Sequence, residues 1–219
     1  MVVVGGILNR FDRSQRMQQR RVFRYLSHPD WNSRTMYADI GLISLRNPFH
    51  AGVPFSSGNL IPIGLTDHQP NAGERCTIYG WGQTQEGRKQ FQPVCLQKAE
   101  VTVLELGRCN SSLHEVVNVP DGTLCAGSFD GGVDACQGDS GGPLVCSGAL
   151  YGVVSFGWGC GRAHFPGVYT DVFVHRRWIE AAMDSDPRTW NGATVAVYGG
   201  PGGRTVLGVI IMFSTVLLS

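Results

Sequence analysis

Cys136-Gln137-Gly138-Asp139-Ser140-Gly141-Gly142-Pro143 is the stretch of this 219-residue chain whose chemistry is most constrained. A serine hydroxyl is a poor nucleophile until a base removes its proton and donors stabilise the oxyanion that forms. Small residues on both sides of Ser140 let a substrate backbone approach. They also leave the N–H groups of Gly138 and Ser140 free to point at one spot. A bare Gly-x-Ser-x-Gly equally describes a glycine-rich turn with an incidental serine. The Asp134-Ala135-Cys136-Gln137 prefix and the flanking cysteines weigh against that.

Outward from this segment, seven cysteines lie between Cys76 and Cys160, with spacings of 19, 14, 16, 11, 10 and 14. No CxxC pair or Cys/His ligand cluster is among them, so disulfides in an oxidising compartment are expected rather than zinc. The odd count leaves one thiol either free or paired outside the chain. The segment from Ile7 to Gln19 carries a single acid, Asp12, too few hard oxygen ligands for calcium. No metal or cofactor is expected.

Thirty glycines and short apolar runs broken by Gly, Pro, Asn and Asp predict an all-β chain. Strands are expected over Arg20–Leu26, Ile40–Leu45, Cys76–Trp81, Gln97–Leu104, Gly122–Ala126, Pro143–Cys146, Leu150–Phe156 and Gly167–Asp171. One helix is predicted over Val172–Met183, with Asp171 as N-cap and Val174, Trp178, Ala181 and Ala182 on one face.

The net charge of +1 gives no global reason to expect a nucleic-acid partner. The first fifty residues are different, with eight Arg against three Asp, a local +5. That asymmetry reads either as a solvated strand edge or as an anionic docking surface.

Three parts are expected: a folded domain over 1–183, a polar Gly/Pro-rich spacer over 184–204 and a hydrophobic tail over 205–219. Met1–Gly6 has no charged n-region and is too short for a signal peptide. The apolar run Val206–Leu218 makes a helix of roughly 20 Å, short of the ~30 Å hydrocarbon core. Small residues at Asn191-Gly192-Ala193, a spacer and an apolar tail fit a GPI-anchor signal and membrane attachment; a tail packed on the domain is the alternative.

Several ordered segments now converge: Tyr37-Ala38-Asp39-Ile40-Gly41-Leu42, Cys76-Thr77-Ile78-Tyr79-Gly80-Trp81-Gly82, Leu124-Cys125-Ala126-Gly127, the Ser140 segment, Ser155-Phe156-Gly157-Trp158-Gly159-Cys160, Pro166-Gly167-Val168-Tyr169-Thr170 and Trp178-Ile179. Over about Val2–Met183 they resemble the chymotrypsin-type serine proteases, in their trypsin-like branch. The resemblance implies a double Greek-key β-barrel, with the first barrel truncated, and a C-terminal helix. It implies Ser140 as nucleophile, Asp39 as the acid that orients the catalytic histidine, and Gly138 and Ser140 as oxyanion donors. The mechanism that comes with this family is the Ser-His-Asp triad, in which the histidine takes the serine proton.

Asp134 matches the acid at the floor of the primary specificity pocket, and Ser155, Gly157 and Gly167 match its substrate-binding walls. A carboxylate there selects Arg or Lys before the scissile bond. Phe156 stands where the family usually has Trp. The implied disulfides are Cys76–Cys146, Cys109–Cys125 and Cys136–Cys160, leaving Cys95 either free or paired upstream. Asn110 begins a sequon, Asn110-Ser111-Ser112, placed on a surface loop. The implied partners are protein or peptide substrates and protein inhibitors, and the implied location is extracellular or cell-surface.

The family also places a histidine some forty residues ahead of the acid, usually in an Ala-Ala-His-Cys setting. Here only His28 precedes Asp39, in a turn-like Ser-His-Pro-Asp. His50, His68, His114, His164 and His175 fall in loops or on the helix. In relatives, an Ile or Val ammonium inserts beside the residue matching Asp139. Two readings follow: a trypsin-like endopeptidase whose chain is N-terminally incomplete and nearly inactive alone, or a non-catalytic homologue acting as a binding module.

Overall fold

The computed structural model describes residues 1–13, 17–50, 54–55, 58–88, 92–190 and 209–211. Strands β1 (Val2–Gly5), β2 (Gln18–Ser27) and β3 (Gly41–Leu45) lie side by side in an antiparallel sheet, and a late strand β13 (Val209–Ile211) pairs with the far edge of β3. Short strands β4 (Pro54–Phe55) and β5 (Gly58–Asn59) pair with each other.

The rest forms a closed barrel of six strands: β7 (Arg75–Gly80), β8 (Gln97–Leu104), β9 (Thr123–Gly127), β12 (Gly167–Asp171), β11 (Ala149–Phe156) and β10 (Pro143–Cys146). β10 closes it by pairing with both β7 and β11. Strand β6 (Gly64–Leu65) adds to β11 in parallel. Full closure removes exposed strand edges. Every residue of β9 and β12 is buried, which explains why these strands read as continuous runs rather than as alternating ones.

Two cores hold the molecule. Eleven buried residues, among them Ile78, Val101, Leu144, Tyr151 and Tyr169, fill the barrel. A second cluster joins Ile40 and Leu42 to Leu150, Val153, Val172, Ile179 and Trp190. It presses β3 against the barrel and the helix α2 (Val172–Asp184). Among the described residues, the first sheet has a small buried cluster of its own, Val22, Ile43 and Leu45. Its position therefore depends on the shared cluster, where each buried aliphatic side chain contributes about 1.5–3 kcal/mol.

Disulfides join Cys76 to Cys146, Cys109 to Cys125 and Cys136 to Cys160, and Cys95 is an exposed free cysteine. The first links β7 to β10 at the barrel closure. The third ties the segment before Ser140 to the one after β11.

Several expectations change in detail. Helix α2 starts where its N-cap places it, with Asp171 accepting from the Phe173 and Val174 backbone N–H groups. Its buried face is Val172, His175, Ile179 and Ala182, whereas Val174 and Ala181 are exposed. The apolar spacing pointed to a face one step around, because a histidine occupies the interior.

A further helix, α1 (Leu106–Leu113), was not predicted. Glu105 caps it by accepting from the Arg108 N–H. Asn110 therefore sits on an exposed helix turn and not in a loop. The folded domain also runs past 183: a 3₁₀ turn at Pro187–Thr189 leads to Trp190, which is buried in the shared core. Residues 191–208, which include Asn191–Ala193 and the rest of the spacer, and 212–219 of the tail lie outside the described residues. Among the described residues, no helix is long and apolar enough to cross a membrane.

Candidate active site

Asp39 stands two residues before β3, after a backbone that turns through positive φ at Met36 and Ala38 (59° and 51°). It is 2 % exposed and is held by two barrel strands. Ser155 Oγ on β11 donates to Asp39 Oδ2 at 2.6 Å, and Thr170 Oγ1 on β12 donates to its backbone carbonyl at 2.7 Å. Burial pushes the carboxyl up to about 6, with the Ser155 hydrogen bond pulling the other way. Asp39 Oδ1 is buried without a hydrogen-bond partner. A buried carboxylate oxygen left this way costs free energy until a donor reaches it. None of the chain's six histidines supplies that donor.

Ser140 is exposed and lines a cavity of about 220 Å³ together with Asp134, Ser155, Phe156, Gly157, Gly167 and Tyr169 among others. The Asp134 carboxylate accepts from the Ala135 N–H at 2.8 Å and the Gly161 N–H at 3.0 Å. Burial nevertheless raises its pKa to about 6, and nearby Asp139 adds to the rise. An added Cβ at Gly167 would lie 2.6 Å from Asp134 Oδ1, so glycine is required for the wall to stand clear of the acid. All the residues expected to form the pocket thus line one cavity with the serine.

Gly138 adopts φ of +103°, a conformation that favours glycine. Asp139 follows it, its own N–H donating to the Cys136 carbonyl at 2.9 Å. Its carboxylate accepts from the Gly82 N–H at 2.7 Å and the Cys136 N–H at 3.0 Å. It borders a second cavity of about 270 Å³ that includes Gly80, Gly82, Gln83 and Lys98. Gln83 Oε1 is buried there without a partner. A Cβ at either Gly80 or Gly82 would overlap the Asp139 carboxylate, which accounts for both glycines of Gly80-Trp81-Gly82.

Three features stand together here: a buried acid clamped by Ser155, Ser140 and Asp134 lining one cavity, and the Cys136–Cys160 disulfide, whose two cysteines also line it. The trypsin family model matches residues 1–179. The chain belongs to the trypsin family. It is 38% identical over 163 residues to trypsin-3 of Salmo salar, covering 74% of this chain and 65% of that protein. Trypsin of Xenopus laevis is 37% identical over 163 residues, covering 74% and 64%. Human kallikrein-8 is 38% identical over 172 residues, covering 77% and 63%. Among solved structures, neuropsin, a serine protease expressed in the limbic system of mouse brain, superposes with a TM-score of 0.69 at 36% identity, covering 77% of this chain and 73% of that one. The chain thus spans a little under two thirds of the length of these trypsins.

Two residues of this trypsin-family site escaped sequence reasoning. Tyr169 buries its hydroxyl without a partner beside Gly167 and Asp134, and burial followed by the two aspartates raises its pKa. Met36 lines the cavity mouth. Tyr169 lay in a quoted motif, but nothing in its spacing said that it faced inward. Among the described residues no group of three or more His, Cys, Asp or Glu is arranged to hold a metal.

Proposed function

We propose that this chain carries the nucleophile, orienting acid and specificity pocket of a serine endopeptidase that cleaves protein or peptide chains after Arg or Lys. The observation that supports this reading is that Asp134 and Ser140 line one cavity. A long cationic side chain entering that cavity meets an acid that burial makes costly to ionise alone. Pairing repays that cost and fixes the scissile carbonyl near Ser140, where the Gly138 and Ser140 N–H groups receive the oxyanion. Losing one such donor costs about 3–4 kcal/mol of transition-state stabilisation.

The orphan Asp39 Oδ1 is the place for the N–H of an imidazole whose other nitrogen takes the Ser140 proton. Without that base, Ser140 retains only catalysis of order 10³–10⁴ over water. The cavity beside Asp139, with the orphan Gln83 Oε1, suits the ammonium that relatives insert at this aspartate. The three disulfides support an oxidising, extracellular setting. Membrane attachment through residues 205–219 competes with the pairing of Val209–Ile211 to β3, which favours a tail packed on the domain.

Binding and turnover test the reading separately. Titration of the full chain with fluorescent p-aminobenzamidine should saturate. Asp134→Asn should weaken binding by on the order of 100-fold, as when a buried charge pair loses a partner. Added imidazole should raise hydrolysis of Arg and Lys esters above that of a Phe ester, and Ser140→Ala should abolish the gain. Equal binding by Asp134→Asn, or a preference for the Phe ester, would overturn it.

A further inference from the structure

We propose that Arg10, together with Gln92, forms a subsite on the leaving-group side of Ser140 that selects substrates with an acidic residue two or three positions after the scissile bond. The subsite rests on the reading of Ser140 as nucleophile and Asp134 as specificity acid, and extends it to the other half of the substrate.

The segment that carries Arg10 is pinned to the barrel. The Arg10 N–H donates to the Val94 carbonyl at 2.9 Å and the Leu96 N–H to the Leu8 carbonyl at 2.7 Å, with Asn9 bridged to Cys95 between them. The Trp81 indole N–H adds a bond to the same Leu8 carbonyl at 3.2 Å. Arg10 thereby stands beside Gln92, and its Nη1 donates to Gln92 Oε1 at 3.1 Å across 82 residues of sequence. With Oε1 held in this way, the amide nitrogen of Gln92 abuts the serine turn. A Cβ built on Gly138 would lie 3.3 Å from Gln92 Nε2 and 3.1 Å from the Gly82 Cα.

Neutral groups hold the guanidinium. Besides Gln92 it meets the Phe11 ring, 4.8 Å from the centroid, a contact that fixes the plane without neutralising its charge. Among the described residues no carboxylate forms an ion pair with Arg10. Its Nε–H is buried without an acceptor, a costly state for a charged donor. A carboxylate is the ligand that suits this fork, because two parallel N–H donors match its two oxygens.

Arg10, Gly82 and Gln92 line no part of the Asp134 cavity, whose wall includes Met36, Phe156 and Gly157 instead. With the residue before the scissile bond filling that cavity, the chain after the bond departs across Gly138 toward Gln92. An extended chain advances about 3.3–3.6 Å per residue, so its second or third residue after the bond comes level with a cation one glutamine side chain beyond Gly138. An acidic side chain there pairs with Arg10, a neutral one gains little, and a basic one is repelled.

The test is fluorescence anisotropy on the full chain with labelled peptides Ala-Ala-Arg-Ala-X-X-Ala, where X is Glu, Gln or Lys. At about 50 mM NaCl the Glu peptide should bind about 10-fold more tightly than the Gln peptide, with Lys weakest and the gaps closing as salt rises. Arg10→Gln should erase the gap between Glu and Gln, and Arg10→Glu should rank Lys first. A merely structural role for Arg10 would weaken all three peptides alike. Thermal melts report whether each variant folds, and if Arg10→Glu does not, Arg10→Gln decides. No binding of the Glu peptide, equal binding of Glu and Gln peptides by the parent, or a gap that survives Arg10→Gln would overturn the proposal. Titration with p-aminobenzamidine reports the Asp134 cavity separately. Saturation by it without any ranking of the peptides refutes the subsite alone, whereas no saturation refutes the underlying reading as well.

Discussion

Replacing His175 by phenylalanine should make the protein markedly more tolerant of acid than the parent. His175 is 5% exposed on the inner face of α2. Its ring lies edge-on to His28 with centroids 5.1 Å apart, and His28 in turn packs on Trp178 at 4.6 Å. Nε2 of His175 has no hydrogen-bond partner. Burial first, and then the facing His28, lower its pKa from 6.5 to about 4, against smaller upward pulls from the Gly122 backbone and Asp30. His28 is lowered too, by burial, with Asp30 opposing.

A depressed histidine binds fewer protons folded than unfolded. Its stabilisation is therefore complete above pH 6.5, declines as pH falls below that value, and levels off below about 4. A shift of 2.5 units at 1.36 kcal/mol each gives a ceiling of about 3.4 kcal/mol. Asp39 and Asp134, both raised to about 6, act with the opposite sign and gain stability as pH falls through 6. The parent's own pH profile therefore mixes the two effects. The difference between parent and His175→Phe isolates the histidine. Urea unfolding of both at pH 7.5, 6, 5 and 4 should show the variant gaining about 3 kcal/mol relative to the parent across that range. A difference that stays constant with pH would refute the reasoning and would place His175 in contact with water or a paired acid.

Other perturbations test the site. Gly80→Ala sets a methyl against the Asp139 carboxylate and should weaken p-aminobenzamidine binding at least 10-fold by moving the Ser140 turn, with unchanged affinity arguing otherwise. Ser155→Ala removes the hydrogen bond that lowers the Asp39 pKa, so that carboxyl should titrate higher in ¹³C NMR; a lower value would contradict the assignment. Ile179→Ala, at a position with 0% exposure in the shared core, should cost about 2–5 kcal/mol, measured as a drop in urea midpoint; a change below about 1 kcal/mol would mean that the core does not hold β3 to the barrel.

The barrel strands were legible because their boundaries are local. Gln97–Leu104, Pro143–Cys146 and Gly167–Asp171 are bounded by nearby signals, Gly142 before Pro143, Pro166 before Gly167 and the helix caps Glu105 and Asp171 at the far ends. Helix α1 was not, since its polar run Gly107-Arg108-Cys109-Asn110-Ser111-Ser112 has weak helix propensity. Its Glu105 cap and the burial of Cys109 and Leu113 stabilise it. The inner face of α2 was misplaced for a related reason. Side-chain type argued that a histidine faces water, and the packing of His28 against it decided otherwise.

From the order of residues alone came the chemistry on offer: a serine among glycines, acids at 39 and 134, seven cysteines without metal-ligand spacing and a cationic N-terminal stretch. Residue types and short-range spacing set these, and they need no fold to be read. Folding alone decided which charges lose their water. It set Asp39 and Asp134 in low-dielectric surroundings, left Asp39 Oδ1 waiting for a donor, buried His175 against His28, and brought Arg10 to Gln92. Desolvation and pairing depend on atoms brought together from strands far apart in the chain, and no local pattern encodes them.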